Sequence, residues 1–260
     1  MKRFARPSGL IRIGKALFRP PKLVEMRVGA PARILFIADV HLRKDHPEMA
    51  ERVVSSCAKA APDLILLGGD LAEYGEGLDV FLRALRGAFP LAPVCAVPGN
   101  NDDGILDGDR KAQAEVYAKY GAEYLCNEAR RFTFCGCGVT VAGVEDAYTH
   151  TPSAEGLFFP EGSSEEDEDK NDYRILLSHA PHRFLLDAGA DLMLCGHTHG
   201  GQINVLGLTC YLLPYEARYD YALLSGCRRF GKTLLLVSRG VGYSKYPVRV
   251  GADSEIHLIV

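Results

Sequence analysis

The chain has 260 residues, 47% hydrophobic and 24% charged, with a formal net charge of −3. That length supports one large domain or two small ones, and the balance is that of an ordinary globular protein. So small a net charge gives no reason to expect a polyanionic partner, and nucleic acid is not an expected ligand. Eight cysteines, none in a Cys-x-x-Cys pair, are too few for a disulfide scaffold. Cys57, Cys95, Cys195 and Cys210 lie in or beside apolar runs and read as small buried hydrophobes in a reducing, cytoplasmic setting. Cys135 and Cys137 read as two thiols on one strand face.

Residues 1–32 form a basic N-terminal arm in which Glu25 is the lone acid. The arm has no continuous apolar stretch of signal-peptide or membrane-spanning length. Leu10, Ile11, Ile13, Leu17 and Phe18 interleave with Arg12, Lys15 and Arg19. Two readings stand: a short amphipathic helix touching a membrane surface, or a loosely held arm ending at Pro20-Pro21. The arm is favoured, with an edge strand over Pro21–Val28.

From residue 33 to 260 no linker divides the chain. Ile34–Ala38, Leu64–Leu67 and Val94–Val97 read as buried strands, with helices over Pro47–Ala61, Gly77–Ala88 and Arg110–Tyr120. Successive strand–loop–helix units predict parallel packing, with ligands at the carboxyl ends of the strands. Shorter strands are expected at Arg131–Phe134 and Val139–Ala142. An acidic surface loop at about 149–172 follows. Arg174–Leu177 and Ala190–Cys195 restore the core, separated by a short helix over Phe184–Ala188. Tyr211–Leu213, Thr233–Ser238 and Ile256–Val260 read as further strands.

The strand ends carry the chemistry. Asp39 and His41 follow the first core strand, Asp70 the second, and Asn100 with Asp102 the third. His179 follows Arg174–Leu177, and His197 and His199 follow Ala190–Cys195 within Gly-His-Thr-His-Gly-Gly-Gln. Taken alone, the last pair fits a solvated turn as well as a metal site. The whole set is oxygen and imidazole donors without a thiolate, which suits Mn²⁺, Fe²⁺ or Zn²⁺ over a closed structural zinc site. Seven ligands exceed the needs of one ion and match two ions sharing a carboxylate. Such ions, about 3.5–4 Å apart, clamp an in-line displacement at phosphorus and activate a water as nucleophile.

In this order Asp39-x-His41, Gly69-Asp70, Gly99-Asn100-x-Asp102, His179 and Gly196-His197-x-His199 resemble the motifs of the calcineurin-like metallophosphoesterases. Gly196–Gln202 together with Ser238-Arg239-Gly240 is most similar to the bacterial YkuE/YaeI-type phosphodiesterase subgroup. The resemblance implies an α/β fold, a four-layer αββα sandwich of two mixed β-sheets flanked by helices. It implies that Asp39, His41, Asp70 and His199 hold one ion, that Asp70, Asn100, His179 and His197 hold the other, and that Asp70 bridges. The implied activity is a phosphohydrolase acting on a phosphodiester or phosphoanhydride with Mn²⁺ as the first-choice ion. Pyrophosphate cleavage in a UDP-linked lipid precursor and a non-catalytic metal-binding scaffold are the alternatives.

The chain departs from the family at Asn101, where most members carry a catalytic histidine beside the Asn100 and Asp102 positions. An amide donates a hydrogen bond to a phosphate oxygen but delivers no proton at neutral pH. Asn101, Asp102 and His150 are therefore the candidate catalytic residues, His150 as a replacement proton donor. His46, His182 and His257 read as surface or core histidines, His182 with a supporting role beside His179 as its other reading. Composition is silent on oligomeric state.

Overall fold

The computed structural model describes residues 20–146, 150–158, 172–205, 224–245 and 247–260. Its strands are β1 (Lys22–Met26), β2 (Ile34–Ile37), β3 (Leu64–Leu67), β4 (Val94–Ala96), β5 (Ala122–Tyr124) and β6 (Glu128–Phe134). They continue with β7 (Cys137–Gly143), β8 (Tyr173–Leu177), β9 (Leu192–Cys195), β10 (Gly226–Phe230), β11 (Thr233–Val237) and β12 (Glu255–Ile259). The helices are α1 (Met49–Cys57), α2 (Gly75–Ala88) and α3 (Arg110–Lys119).

The strands form two six-stranded mixed sheets, ordered β1-β12-β2-β3-β4-β5 and β10-β11-β9-β8-β7-β6. One sheet holds the parallel run β2-β3-β4-β5, with β12 antiparallel to β2 and β1 parallel to β12; the other holds the parallel run β11-β9-β8-β7, flanked by antiparallel β10 and β6.

The period of two along each strand sorts the side chains into layers. Ile34, Phe36, Leu64 and Leu66 point between the sheets, where they meet Val139, Val141, Ile175, Leu177, Leu192 and Leu194. Leu35, Ile37, Ile65 and Leu67 point the other way, onto Val53 of α1, Leu78, Phe81 and Leu82 of α2 and Tyr117 of α3. The continuous apolar runs follow from this two-sided burial. On the second sheet, Leu176, Met193, Cys195, Leu235 and Val237 form the outer face and pack against Leu185.

The expected short helix is present as a five-residue 3₁₀ helix, Arg183–Asp187, between Pro181 and Gly189, whose φ is 87°. It is tied down by Thr233 Oγ1, which donates to the carbonyls of Leu186 (3.1 Å) and Ala190 (2.7 Å). Other boundaries shift for local reasons. The helix expected over Pro47–Ala61 ends at Cys57, because Ala61 turns to φ 44° ahead of Pro62. α2 begins at Gly75, with the Tyr74 carbonyl accepting from Gly77 N and Leu78 N. α3 starts at Arg110, where the Asp109 carboxylate accepts from the amides of Lys111 (2.9 Å) and Ala112 (3.1 Å).

Two strands escaped the periodicity: β5, three residues long, and β10, whose Cys227, Arg228 and Arg229 are exposed on an edge. Cys135 and Cys137 do not share a strand face. Cys135 (φ 52°) and Gly136 (φ 83°) make the β6–β7 turn, and Cys137 opens β7. Cys57, Cys95 and Cys195 are buried as expected. The expected Tyr211–Leu213 strand, the amphipathic stretch of the arm, Cys210 and most of the acidic loop lie outside the described residues. Among the described residues no helix is long and apolar enough to cross a membrane.

Leu66 is fully buried between the sheets. Leu66→Ala is expected to destabilise the fold by about 2–5 kcal/mol, measured as a lower urea midpoint with an unchanged slope.

Candidate metal centre

The core strands stop abruptly, and the residues after them turn inward. Asp39 (φ 53°), His41 (46°), Asp70 (53°), His197 (68°) and His199 (50°) all have left-handed backbone. A non-glycine residue there is strained by about 1–3 kcal/mol and persists only where its surroundings fix it. Here the loops fix one another. Asp39 N donates to Gly69 O (3.1 Å), His41 N to Asp70 O (3.0 Å) and Gly196 N to His179 O (2.9 Å). The approach is close enough to require glycine at two points. A Cβ on Gly99 would lie 2.1 Å from Asp70 Oδ1, and one on Gly196 would lie 2.3 Å from Asp39 Oδ2.

Asp39, Asp70 and His179 are essentially without solvent exposure. Asp39 Oδ1 lies 3.7 Å from His199 Nε2, while Asp70 Oδ2 lies 3.6 Å from His41 Nε2 and 3.4 Å from His179 Nε2. His41 Nε2 and His199 Nε2 are 3.1 Å apart. Asn100 Oδ1 joins the other two rings, 3.0 Å from His179 Nε2 and 2.7 Å from His197 Nδ1. All seven ligand candidates are thus brought together. His197 and His199, two apart in sequence, face different neighbours because both depart from strand geometry.

Two groups have ligand atoms within 4.8 Å of one another: Asp39, His41 and His199, and Asp39, Asp70 and His179. Among the described residues, the ion pairs recorded for Asp39 and Asp70 are to imidazoles, not to Lys or Arg. Two buried carboxylates so close repel, and a multivalent cation relieves both charges at once. The donor set therefore fits hard-to-borderline divalent ions.

The electrostatics divide the rings. Burial and the neighbouring His179 push His197 down to about 3. Burial, with His41 and Arg249 nearby, depresses His199. Both rings are held neutral, the form that ligates. Burial opposes charge on His179, yet Asp70 and Asp39 raise it; burial also opposes charge on His41, where Glu73 and Asp70 prevail. Burial lifts Asp39 above the carboxylate range. It would lift Asp70 too, but His179, His41 and Asn101 hold Asp70 below that range.

Two residues that the sequence did not single out complete the site. Glu73 Oε1 lies 2.5 Å from His41 Nδ1, and Arg249 Nη2 lies 2.9 Å from His199 Nδ1. Arg249 is buried and also donates to the carbonyls of Gly242 (2.5 Å) and Arg239 (2.8 Å). Glu73 had a readable cue, three residues after Asp70; Arg249 had none, because its contact spans 50 positions.

The catalytic candidates occupy distinct places. Asn101 turns onto the ligand carboxylate, its backbone N donating to Asp70 Oδ1 (2.9 Å) and its Nδ2 to Asp70 Oδ2 (2.5 Å). Asp102 is buried and serves the loop: its Oδ2 accepts from Gly99 N (2.7 Å) and Asp70 N (3.4 Å). Burial and the Asp70 charge push Asp102 up to about 7. The His150 ring lies 3.8 Å from Glu145 Oε1 and 4.0 Å from Asp103 Oδ2, carboxylates that also bind Arg110.

The sequence profile of the calcineurin-like phosphoesterase family matches residues 32–201. YpbG, an uncharacterized protein of Bacillus subtilis, is 30% identical over 247 residues, covering 91% of this chain and 83% of its own. The phosphodiesterase YaeI of Escherichia coli is 30% identical over 242 residues, covering 88% and 82%. The uncharacterized metallophosphoesterase YkuE of Bacillus subtilis is 27% identical over 233 residues, covering 86% and 77%.

The place of Asp102 generates a prediction. Asp102→Asn keeps an oxygen acceptor for Gly99 N and is expected to leave kcat within a few-fold of wild type. Asp102→Ala strands that buried amide and is expected to cost about 1–3 kcal/mol. Urea unfolding and steady-state kinetics on the two variants check this; a large kcat loss in a stable Asp102→Asn would show direct participation.

Proposed function

The chain belongs to the calcineurin-like phosphoesterase family and is a metal-dependent phosphoesterase; from that premise we propose that it hydrolyses phosphodiesters or phosphoanhydrides with two divalent ions, Mn²⁺ foremost. One observation carries the reading. Asp70 stands between His41 and His179, at 3.6 and 3.4 Å, in a cluster completed by buried Asp39 and His199 and half-buried Asn100 and His197. We assign Asp39, His41, Asp70 and His199 to one ion, and Asp70, Asn100, His179 and His197 to the other. The first 32 residues are assigned to an arm whose edge strand, β1, joins the sheet beside β12, and the catalytic domain to 33–260. Likeness to a phosphodiesterase such as YaeI supports the diester class.

When bound, two such ions neutralise phosphoryl oxygens and activate water for in-line attack. The chain's own residues do the remaining work. Gly99 and Gly196 give the carboxylates room at the strand ends. Asn101 fixes the orientation of Asp70 through two hydrogen bonds. Held there, its amide supplies no proton to a leaving oxygen. The reading therefore favours substrates whose leaving group departs without one, such as aryl esters and phosphoanhydrides. His150 remains the candidate proton donor for poorer leaving groups. The same Asn101–Asp70 contact supports the second reading, a scaffold that binds metal and phosphate without turnover.

Turnover of bis-p-nitrophenyl phosphate decides between them. Hydrolysis with added Mn²⁺, abolished in Asp70→Asn, is the expected outcome; no hydrolysis with Mn²⁺, Fe²⁺ or Zn²⁺ favours the scaffold. Asn101→His is expected to raise turnover of alkyl diesters, by up to roughly 10²-fold, more than that of p-nitrophenyl esters. His150→Ala should lower kcat on the alkyl diesters; unchanged kinetics remove it as the donor.

A further inference from the structure

Glu73 belongs to none of the ligand positions, yet the fold delivers its carboxylate to the back of one of them. Beyond the ends of β2 and β3 the two chains stay paired. His41 N donates to Asp70 O, Leu42 N to Leu71 O and Glu73 N to Leu42 O, each at 3.0 Å, and Leu42 bridges Ala72 in parallel. This short zipper carries Glu73 alongside His41 as rigidly as it carries Asp70. The 2.5 Å contact between Glu73 Oε1 and His41 Nδ1 results.

A carboxylate can only accept, so Nδ1 carries a hydrogen, and in the neutral ring the lone pair lies on Nε2. Nε2 is the atom that faces Asp70 and His199, at 3.6 and 3.1 Å. The other rings are backed differently. His179 Nδ1 meets the Gly68 carbonyl at 2.7 Å, and His199 Nδ1 meets the Arg249 guanidinium. His197 turns Nδ1 itself toward Asn100. Where His179 has a backbone carbonyl behind it and His199 a guanidinium, His41 has a carboxylate at its far nitrogen. Such a partner fixes the tautomer and ring orientation and makes the imidazole a stronger donor.

We propose that Glu73 is the positioning residue of His41, locking its Nε2 toward the ion held with Asp39 and His199. The inference rests on the two-ion reading above and adds to it which ion Glu73 controls. The Glu73 side chain is 35% exposed, so water can take the place of its oxygen at His41 Nδ1 and the fold should tolerate the change.

The test is calorimetric titration of Mn²⁺ into metal-stripped wild type, Glu73→Ala and Glu73→Gln. Wild type is expected to bind two ions. Glu73→Ala should weaken one of the two sites by about 10–100-fold and leave the other as it was. Glu73→Gln, whose carbonyl oxygen still accepts from Nδ1–H, should recover most of the loss. The thermal midpoint in EDTA should be the same for all three. Two undiminished sites in Glu73→Ala overturn the proposal, as does equal weakening of both sites or a loss in Glu73→Gln as large as in Glu73→Ala. A wild type that binds no Mn²⁺ overturns the two-ion reading itself, a result distinct from any of these.

Discussion

Left-handed backbone at the strand ends is the constraint on which the site depends. Five of the seven ligand candidates have φ between 46° and 68°. Each turn throws a side chain back across the strand ends instead of letting the chain run on. Such turns are costly alone and stable together, because each loop's amides donate to a neighbouring loop's carbonyls. The two sheets supply the rigidity behind them. Phe36, Leu66, Ile175, Leu177 and Leu194 close the space between the sheets just beneath the loops. Precision at the centre is thus a property of the sandwich, not of any loop by itself.

Burial then sets the chemistry. Asp39 and Asp70 sit in a solvent-free cluster with imidazole neighbours. The same burial that disfavours charge on His197 and His199 leaves them neutral, while the carboxylates draw positive charge to His41 and His179. The two rings nearest each other are backed by opposite charges, Glu73 behind His41 and Arg249 behind His199. Asn101 and Asp102 are spent on geometry, one on the Asp70 carboxylate and the other on the Gly99 amide.

The ligand candidates were legible because each follows an apolar run at a strand end, several beside a glycine, as in Gly68-Gly69-Asp70 and Gly99-Asn100. The central strands were legible because burial on both faces leaves unbroken runs of Ile, Leu and Val. β5 and β10 were not, since an edge strand of few residues can carry polar side chains and be held by pairing alone.

By itself the sequence determined which residues are chemically able to bind metal, the order in which strand ends present them, and the family to which the chain belongs. Those are properties of residue type and local pattern. Only the tertiary structure decided which ring faces which neighbour: His197 toward Asn100 and His199 toward His41. It alone turned Asn101 onto Asp70, gave Asp102 to the loop amides and set Glu73 and Arg249 behind the rings. These are contacts between segments 3 to 158 residues apart, fixed by backbone angles and hydrogen-bond polarity that no single segment encodes.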